Sequence, residues 1–324
     1  MSRVLEVRNL FVDLPLPAGM LHAVRDVSFH VERGETLSLV GESGCGKSLT
    51  ALSLMKLLPP RAILKAQSIV FEGREIKDAG EAEMSAIRGD KMAMIFQEPM
   101  TSLNPCYTIG NQLEEALLEH RKLPRHQARE RAVYLLEKVG ITAAASRLKQ
   151  YPHQLSGGLR QRVMIAMSLM CGPSLIIADE PTTALDVTIQ AQILRLLAEL
   201  QEEFEMGLIL ITHDLGVVAR MADRLAVMYC GQVVETGTTA QVFAEPLHPY
   251  TRGLLECIPV PGKVEPGSPL GSIPGMVPTP IGELRGCSFR NRCSLAVPEC
   301  AEQEVLLREL GPGRALRCLR GGEA

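Results

Sequence analysis

The chain has 324 residues, of which 46% are hydrophobic and 22% are charged, with a formal net charge of -3 and a pI near 6.2. This length allows a large α/β core with a smaller appendage, and the composition excludes wholesale disorder. The charge provides no global basic footprint for nucleic acid. No apolar stretch has the length of a signal peptide or a membrane span, so we expect a protein that is neither secreted nor transmembrane.

Short β-rich runs alternate with helical periodicity up to about residue 240, which predicts a mostly parallel sheet surrounded by helices. From about Thr108 to Ala166 the sequence reads as consecutive helices with charged faces, which predicts a helical insertion. After about Ala244 proline and glycine dominate, so we expect an irregular appendage. The predicted strands are Thr36–Val40, Met92–Phe96, Leu175–Asp179, Leu208–Thr212 and Arg224–Tyr229.

A glycine-rich segment, GESGCGKS at 41–48, lies between the strand-like TLSLV and a helix-like run. It fits G-x-x-x-x-G-K-[ST], because glycines let backbone N–H groups surround phosphate oxygens and the following helix N-terminus adds positive partial charge. Lys47 is predicted to reach the β and γ phosphates and Ser48 to ligate magnesium. The alternative is a glycine-rich turn without a ligand. The predicted nucleotide-binding residues here are Gly41, Ser43, Gly44, Cys45, Gly46, Lys47, Ser48 and Leu49.

An apolar run at 175–178 ends in two acidic residues, Asp179 and Glu180. The run predicts a buried strand that delivers both carboxylates to the C-terminal edge of the sheet, where ligands bind in open α/β folds. Asp179 is the predicted magnesium-side acid, and Glu180 is the predicted general base that polarises the attacking water. Because an Asp-Glu pair after a strand is also a common helix start, this assignment depends on the loop at 41–48.

The segment LSGGL at 155–159 precedes another apolar helical run. Glycine amides and the Ser156 hydroxyl at a helix N-terminus make a second anion-binding surface, and the alternative is an ordinary serine N-cap. With this segment the chain resembles the ABC ATPase family, whose signature is LSGGQ, although Leu159 stands where the family usually has glutamine. The resemblance implies a P-loop NTPase (RecA-like) ABC nucleotide-binding domain with a helical subdomain. It also implies a head-to-tail pair of subunits, in which Ser156, Gly157 and Gly158 of one subunit close over the ATP of the other.

Three further motifs follow the order of the family. By resemblance, Gln97 is the Q-loop glutamine that contacts magnesium and the water, Ala184-Leu185-Asp186 is the D-loop that crosses the dimer interface, and His213 is the switch histidine that binds the γ-phosphate. The family's aromatic residue that stacks on adenine is missing, because Leu14 occupies its place and Phe11 is off register. The resemblance thus implies ATP and Mg²⁺ as cofactors, with Ser48, Gln97 and Asp179 on the metal and a catalytic set of Glu180, His213, Gln97 and Lys47.

Two late motifs, PLHPYT at 246–251 and GCSFRNRC at 286–293, resemble the C-terminal extension of oligopeptide and dipeptide importer ATPases, and the loop region resembles their D-type subunits. The predicted domains are an ABC ATPase domain at 1–244, with a helical subdomain at about 98–165, and a C-terminal extension at 245–324.

Nine cysteines in a chain without a secretory signal predict reduced thiols or a metal site rather than disulfides. The last four have the spacing C-x5-C-x6-C-x17-C, which suits zinc or an iron–sulfur cluster and dictates neither. Free thiols are the other alternative. The resemblance implies a structural 4Fe-4S cluster, with Zn²⁺ as the alternative, so the extension is expected to be small, irregular and metal-stapled. The predicted ligands are Cys287, Cys293, Cys300 and Cys318.

The resemblance implies an ATP hydrolase that powers the import of di- and oligopeptides from the cytoplasmic face of the inner membrane. It implies a second ABC ATPase subunit in a heterodimer, two transmembrane permease subunits and, indirectly, an extracytoplasmic peptide-binding protein, without nucleic acid. The alternatives are a nickel or other small-solute importer, a soluble ABC ATPase acting on ribosomes or DNA, and a module that binds ATP without hydrolysis. The chain has no second ATPase unit or long coiled-coil insertion, which disfavours the soluble class, and Glu180 with His213 disfavours the last alternative.

Overall fold

The computed structural model describes residues 2–98, 102–183, 185–258, 271–282 and 284–321. None of the helices within these ranges has the length and apolarity needed to cross a bilayer. The strands are β1 (Arg3–Leu16), β2 (Gly19–Glu32), β3 (Thr36–Val40), β4 (Ile63–Lys65), β5 (Ser68–Phe71), β6 (Arg74–Glu75), β7 (Met92–Ile95), β8 (Leu175–Asp179), β9 (Gly207–Thr212), β10 (Arg224–Tyr229), β11 (Gln232–Thr238), β12 (Arg308–Gly311) and β13 (Arg314–Leu316). The α-helices are α1 (Lys47–Leu54), α2 (Glu81–Ile87), α3 (Ile109–Leu118), α4 (Arg125–Lys138), α5 (Ala144–Arg147), α6 (Gly157–Ser168), α7 (Val187–Phe204), α8 (Leu215–Met221), α9 (Thr239–Ala244), α10 (Pro249–Glu256) and α11 (Glu299–Glu302).

The chain divides into two compact units. The first unit takes in the described residues within 1–4, 31–35 and 78–211, and the second unit takes in those within 5–30, 36–77 and 212–324. The first unit contains parallel strands, with β8 between β7 and β9. Every residue of β8 is buried, which explains why its sequence is a continuous apolar run up to Asp179 instead of an alternating pattern.

Four helices of the first unit pack together. α3 packs against α4 and α6, and α6 packs in turn against β7 and α7. α3 begins where the Thr108 hydroxyl accepts a hydrogen bond from the Asn111 N–H at 3.3 Å, a typical N-cap. The predicted run of helices between Thr108 and Ala166 is therefore confirmed.

The second unit contains an antiparallel sheet in which β1 lies between β2 and β5, while β4 also pairs with β1. In a separate set of pairings, β10 lies between β3, which is parallel to it, and β11, which is antiparallel. A buried core that includes Val40, Val227, Tyr229, Tyr250 and Phe289 packs together residues from β3, β10 and the C-terminal motifs. The core therefore joins the strand before the glycine-rich loop to the C-terminal extension.

The five strands predicted from the sequence are present. Three have the predicted bounds, whereas β7 ends one residue earlier, at Ile95, and β9 begins one residue earlier, at Gly207. Strand and loop residues in these segments differ sharply in polarity, which is why the boundaries are readable.

The expectation of an irregular C-terminal segment is wrong for part of it. The extension contains α10, and β13 pairs with β11 so that Leu316 lies opposite Glu235. At three residues, β13 is too short for an alternating pattern to show in the sequence. Residues 259–270, in the proline-rich run on which the expectation rested, lie outside the described part of the chain.

Candidate functional site

The glycine-rich loop connects β3 to α1 in the second unit, and its backbone explains two of its glycines. A Cβ atom on Gly41 would lie 2.2 Å from the carbonyl oxygen of Met228, so the loop passes directly against the β10 backbone. Gly46 precedes α1 with a φ of 101°, a conformation in which a side chain is strained. The loop is thus a tight turn that opens onto a helix N-terminus, as the phosphate-loop pattern requires.

We expect Gly41→Ala to destabilise the protein more than the same change at Gly44. Gly44 has a φ of 78° but no atom within 4 Å of its Cβ position, so Gly44→Ala should cost only the left-handed strain of about 1–2 kcal/mol. Gly41→Ala adds a clash with backbone, which should lower the free energy of unfolding by roughly a further 2 kcal/mol. Urea unfolding of the two variants measures the difference, and equal shifts in midpoint at equal slopes would contradict the close approach at Gly41.

Lys47 is the first residue of α1 and is only 5% exposed. Its Nζ donates to the carbonyl oxygens of Gly41 at 2.8 Å and Glu42 at 3.0 Å, which holds the ammonium group on the loop. The Cys45 thiol lies 3.6 Å from the same Nζ. Burial raises the pKa of Cys45, and the nearby ammonium offsets part of that effect, so this thiol is a packed, protonated group within the loop.

In the first unit, Glu180 follows β8 directly and has a φ of 45°, which is unusual for a residue with a side chain. Its N–H donates to the carbonyl oxygen of Ile211 at 3.0 Å. Its Oε2 accepts hydrogen bonds from the Thr183 hydroxyl at 2.8 Å and from the Gln97 amide at 3.2 Å. The structure therefore brings together two residues, Gln97 and Glu180, that were assigned to one site by separate motifs. Thr183 was missed, because a threonine in a turn carries no distinctive signal.

Asp179 is the buried last residue of β8 and lies opposite Ile211 of β9. This position places it at the C-terminal edge of the parallel strands, next to Glu180 in the chain. A buried carboxylate is stable only when a cation or a hydrogen-bond donor lies beside it, and a bound magnesium ion would be such a cation. The position agrees with the predicted role, and the role itself stays a prediction.

The signature segment in the first unit forms the start of α6, where Ser156 and Gly157 are exposed and Gly158 is half-buried. The Ser156 hydroxyl accepts from the Leu159 N–H at 3.4 Å, so it caps the helix. Cβ atoms on Gly157 and Gly158 would lie 3.6 Å from the Leu185 side chain and 3.0 Å from the Ile189 side chain, respectively. The first turn of α6 is thus packed against the beginning of α7 and its glycines keep that contact close.

Asp186 caps α7 in the same way, because its Oδ1 accepts from the Ile189 N–H at 3.0 Å. Ala184, the first residue of the predicted D-loop, lies outside the described residues. In the second unit, His213 is an exposed residue between β9 and α8. Leu14, in β1, is half-buried, and Phe11 is 36% exposed. The predicted roles of Asp186 and His213 are not tested by these positions.

The C-terminal motifs reach the phosphate loop, which sequence reasoning missed. The Glu42 N–H donates to the Tyr250 hydroxyl at 2.8 Å, and the Arg292 guanidinium forms an ion pair with the Glu42 carboxylate at 2.7 Å. Tyr250 belongs to the first motif, where His248 also caps α10 by accepting from the Tyr250 N–H at 3.0 Å. Burial lowers the pKa of His248 to about 3, so this cap is a neutral imidazole.

The four late cysteines line one small cavity, together with His248 and Phe289. Burial raises the pKa of the thiols of Cys287, Cys293 and Cys318. Across the described ranges, no three His, Cys, Asp or Glu side chains form a group that could hold a metal ion. The predicted ligands therefore converge on one cavity without forming a metal site, and the expectation of a metal-stapled extension is not supported by the structure.

Comparisons with known proteins identify the family. Residues 24–183 match the family of ABC transporters, and residues 234–300 match the C-terminal region of oligopeptide/dipeptide transporters. The chain is 50% identical over 320 residues to the oligopeptide transport ATP-binding protein AppD of Bacillus subtilis, covering 98% of this chain and 97% of AppD. It is also 50% identical over 319 residues to the dipeptide transport ATP-binding protein DppD of Bacillus subtilis, covering 98% of this chain and 92% of DppD.

Among solved structures, the dimeric ATP-binding cassette MJ0796 bound to ADP and Pi is similar, with a TM-score of 0.65 and 27% identity, covering 72% of this chain and 98% of that one. The similarity to this cassette extends over most of the chain, and the similarity to the transport proteins extends over nearly all of it. The chain therefore belongs to the ABC transporter family, among the ATP-binding proteins of oligopeptide and dipeptide transport.

Proposed function

We propose that this protein hydrolyses ATP to power the import of di- and oligopeptides. The observation that carries the proposal is the 50% identity to peptide transport ATP-binding proteins over 98% of the chain, because it includes both the ATPase motifs and the C-terminal extension. The geometry agrees with hydrolysis, since Glu180 is a carboxylate held in one orientation by Thr183 and Gln97.

In the proposed mechanism, the N–H groups of the loop at 41–48 and the Lys47 ammonium bind the phosphates of ATP. A magnesium ion held by Ser48, Gln97 and Asp179 would neutralise charge on the phosphate oxygens. Glu180 orients the attacking water and accepts its proton as the water oxygen bonds to the γ-phosphorus and the bond to the β-phosphate oxygen breaks. His213 stabilises the charge on the γ-phosphate. The products are ADP and inorganic phosphate.

The proposed assembly pairs this chain with a second, different ABC ATPase subunit, so that Ser156, Gly157 and Gly158 close over the partner's ATP. The exposure of Ser156 and Gly157 at the start of α6 supports this role. Two transmembrane permeases and an extracytoplasmic peptide-binding protein complete the transporter, with this chain at the cytoplasmic face of the inner membrane. The proposed domain boundary near 244 coincides with the end of α9 at Ala244, although the described residues of 212–324 fall in one compact unit.

We also propose that the four late cysteines hold a 4Fe-4S cluster, or alternatively zinc, although the described side chains do not form a metal-binding group as they stand. Support comes from the shared cavity and from thiolate sulfur being the ligand that both metals accept. An anaerobic purification tests it through iron, sulfide and zinc assays and an absorption spectrum. Protein purified without any of these metals at stoichiometric amounts would contradict the proposal.

Reconstitution tests the function as a whole. The chain is expected to copurify from solubilised membranes with permeases and a second ATPase, and the complex in proteoliposomes is expected to couple ATP hydrolysis to uptake of labelled di- and tripeptides. Uptake of nickel without uptake of peptides would favour the small-solute alternative. Copurification with ribosomes in place of membrane proteins would contradict the transporter assignment.

A further inference from the structure

The phosphate loop carries a negative charge of its own, at Glu42. An uncompensated carboxylate beside a triphosphate would repel it, because like charges a few ångströms apart destabilise each other strongly outside bulk water. Glu42 is held at three points: its N–H donates to the Tyr250 hydroxyl, its carbonyl oxygen accepts from Lys47, and its carboxylate pairs with Arg292. Glu42 therefore contributes to the structure of the loop and also to its charge.

Arg292 meets the Glu42 carboxylate with both ends of its guanidinium group. Nη1 donates to Oε2 at 2.7 Å and Nη2 donates to Oε1 at 3.0 Å, the bidentate geometry that suits arginine and not lysine. The Arg292 side chain is 3% exposed, whereas the Glu42 side chain is 31% exposed. The pair thus has its cation buried and its anion at the loop surface.

The remaining N–H groups of Arg292 are also used. Nε donates to the carbonyl oxygen of Pro274 at 2.9 Å, Nη2 to that of Ile273 at 3.1 Å, and Nη1 to the Tyr229 hydroxyl at 3.4 Å. With the two bonds to Glu42, these account for all five donors of the guanidinium group. The bonds to Pro274 and Ile273 fix Arg292 within the extension independently of the loop. Its guanidinium group therefore presents a rigid positive charge to Glu42.

An aromatic cluster packs against the two groups that hold Glu42, the Tyr250 hydroxyl and the Arg292 guanidinium. Tyr250 packs on Tyr229 with ring centroids 4.7 Å apart and on Phe289 at 5.4 Å. The Arg292 guanidinium lies 5.8 Å from the centroids of the Tyr229 and Phe289 rings. Because Tyr250 and Tyr229 are fully buried, the hydroxyl and guanidinium groups that hold Glu42 have little freedom to move.

We infer that Arg292 is a positioning residue for ATP: it cancels the charge of Glu42, while Tyr250 holds the phosphate loop through the Glu42 N–H. The inference rests on the proposed function, and it deepens it by giving the C-terminal extension a direct part in nucleotide affinity. It does not depend on a metal in the cavity that the four late cysteines line.

Steady-state ATP hydrolysis by the reconstituted complex tests the inference, with KM and kcat measured separately. Arg292→Met leaves the Glu42 carboxylate uncompensated and is expected to raise the KM for ATP roughly tenfold, with kcat within about threefold of the wild type. Adding Glu42→Gln to Arg292→Met removes the repelling charge and is expected to return KM to within about threefold of the wild type. A purely structural role for Arg292 predicts no such rescue.

Glu42→Gln alone keeps the inference testable even if Arg292→Met fails to fold, because it leaves the contacts of Arg292 with Ile273 and Pro274 in place. Its KM is expected to equal or fall below that of the wild type. A raised KM in this variant, an unchanged KM in folded Arg292→Met, or a double variant no better than Arg292→Met would each overturn the inference. Absence of ATP hydrolysis by the wild-type reconstituted complex would instead defeat the proposed function itself.

Discussion

Glu180→Gln is expected to lower kcat for ATP hydrolysis by at least about 100-fold, the contribution of a positioned general base, while ATP binding is retained. The amide keeps the size of the side chain and an oxygen that can accept from Thr183, but it cannot take a proton from water. Since the change preserves the hydrogen bond at 2.8 Å, loss of activity would report on proton transfer and not on collapse of the turn. Phosphate release in the reconstituted complex, with nucleotide affinity from a separate titration, measures both effects.

A matched control for this variant exists in the same unit. Glu205 is an exposed glutamate with a φ of 49°, close to the 45° of Glu180, and it lies at the end of α7 away from the predicted motifs. Glu205→Gln makes the same chemical change in the same backbone conformation and is expected to leave kcat within about twofold of the wild type. Equal hydrolysis by the Glu180→Gln and Glu205→Gln proteins would remove Glu180 from the mechanism.

Lys47→Ala is expected to weaken ATP binding by on the order of 100-fold, because truncating one partner of a largely desolvated, charged contact costs several kcal/mol. The ammonium is only 5% exposed and is held on the loop by the carbonyl oxygens of Gly41 and Glu42. In the bound state the same group would face phosphate oxygens, which are stronger acceptors than carbonyls. Calorimetric titration with MgATP gives the affinity.

The control for Lys47→Ala is Lys65→Ala, which removes an exposed ammonium from β4 in the same unit. That variant is expected to bind ATP as the wild type does. Thermal unfolding of both proteins separates loss of affinity from loss of structure. ATP affinity of a folded Lys47→Ala protein within threefold of the wild type would show that the loop does not act as a phosphate site.

Much of the fold was predictable because its signals are local. The strand before the glycine-rich loop and the strand that ends at Asp179 have their predicted bounds, since each is a short apolar run between polar or glycine-rich segments. Gly41 and Gly46 were predicted for the same reason: a tight turn before a helix restricts which residues can occupy it, whatever the rest of the chain does. The long strands β1 and β2 were not predicted. Burial in β1 does not alternate regularly, whereas the last six residues of β2 alternate between buried and half-buried, a signal that was missed.

The sequence by itself thus determined the family, the order of the motifs and the residue types at the candidate site, because these depend on residues close together in the chain. Only the tertiary structure decided which remote residues meet. Gln97 reaches Glu180 across 83 positions and Arg292 reaches Glu42 across 250, and the pairing of β13 with β11 ends two residues before Cys318. No period or spacing encodes such contacts, since they follow from how separate elements pack into a common core.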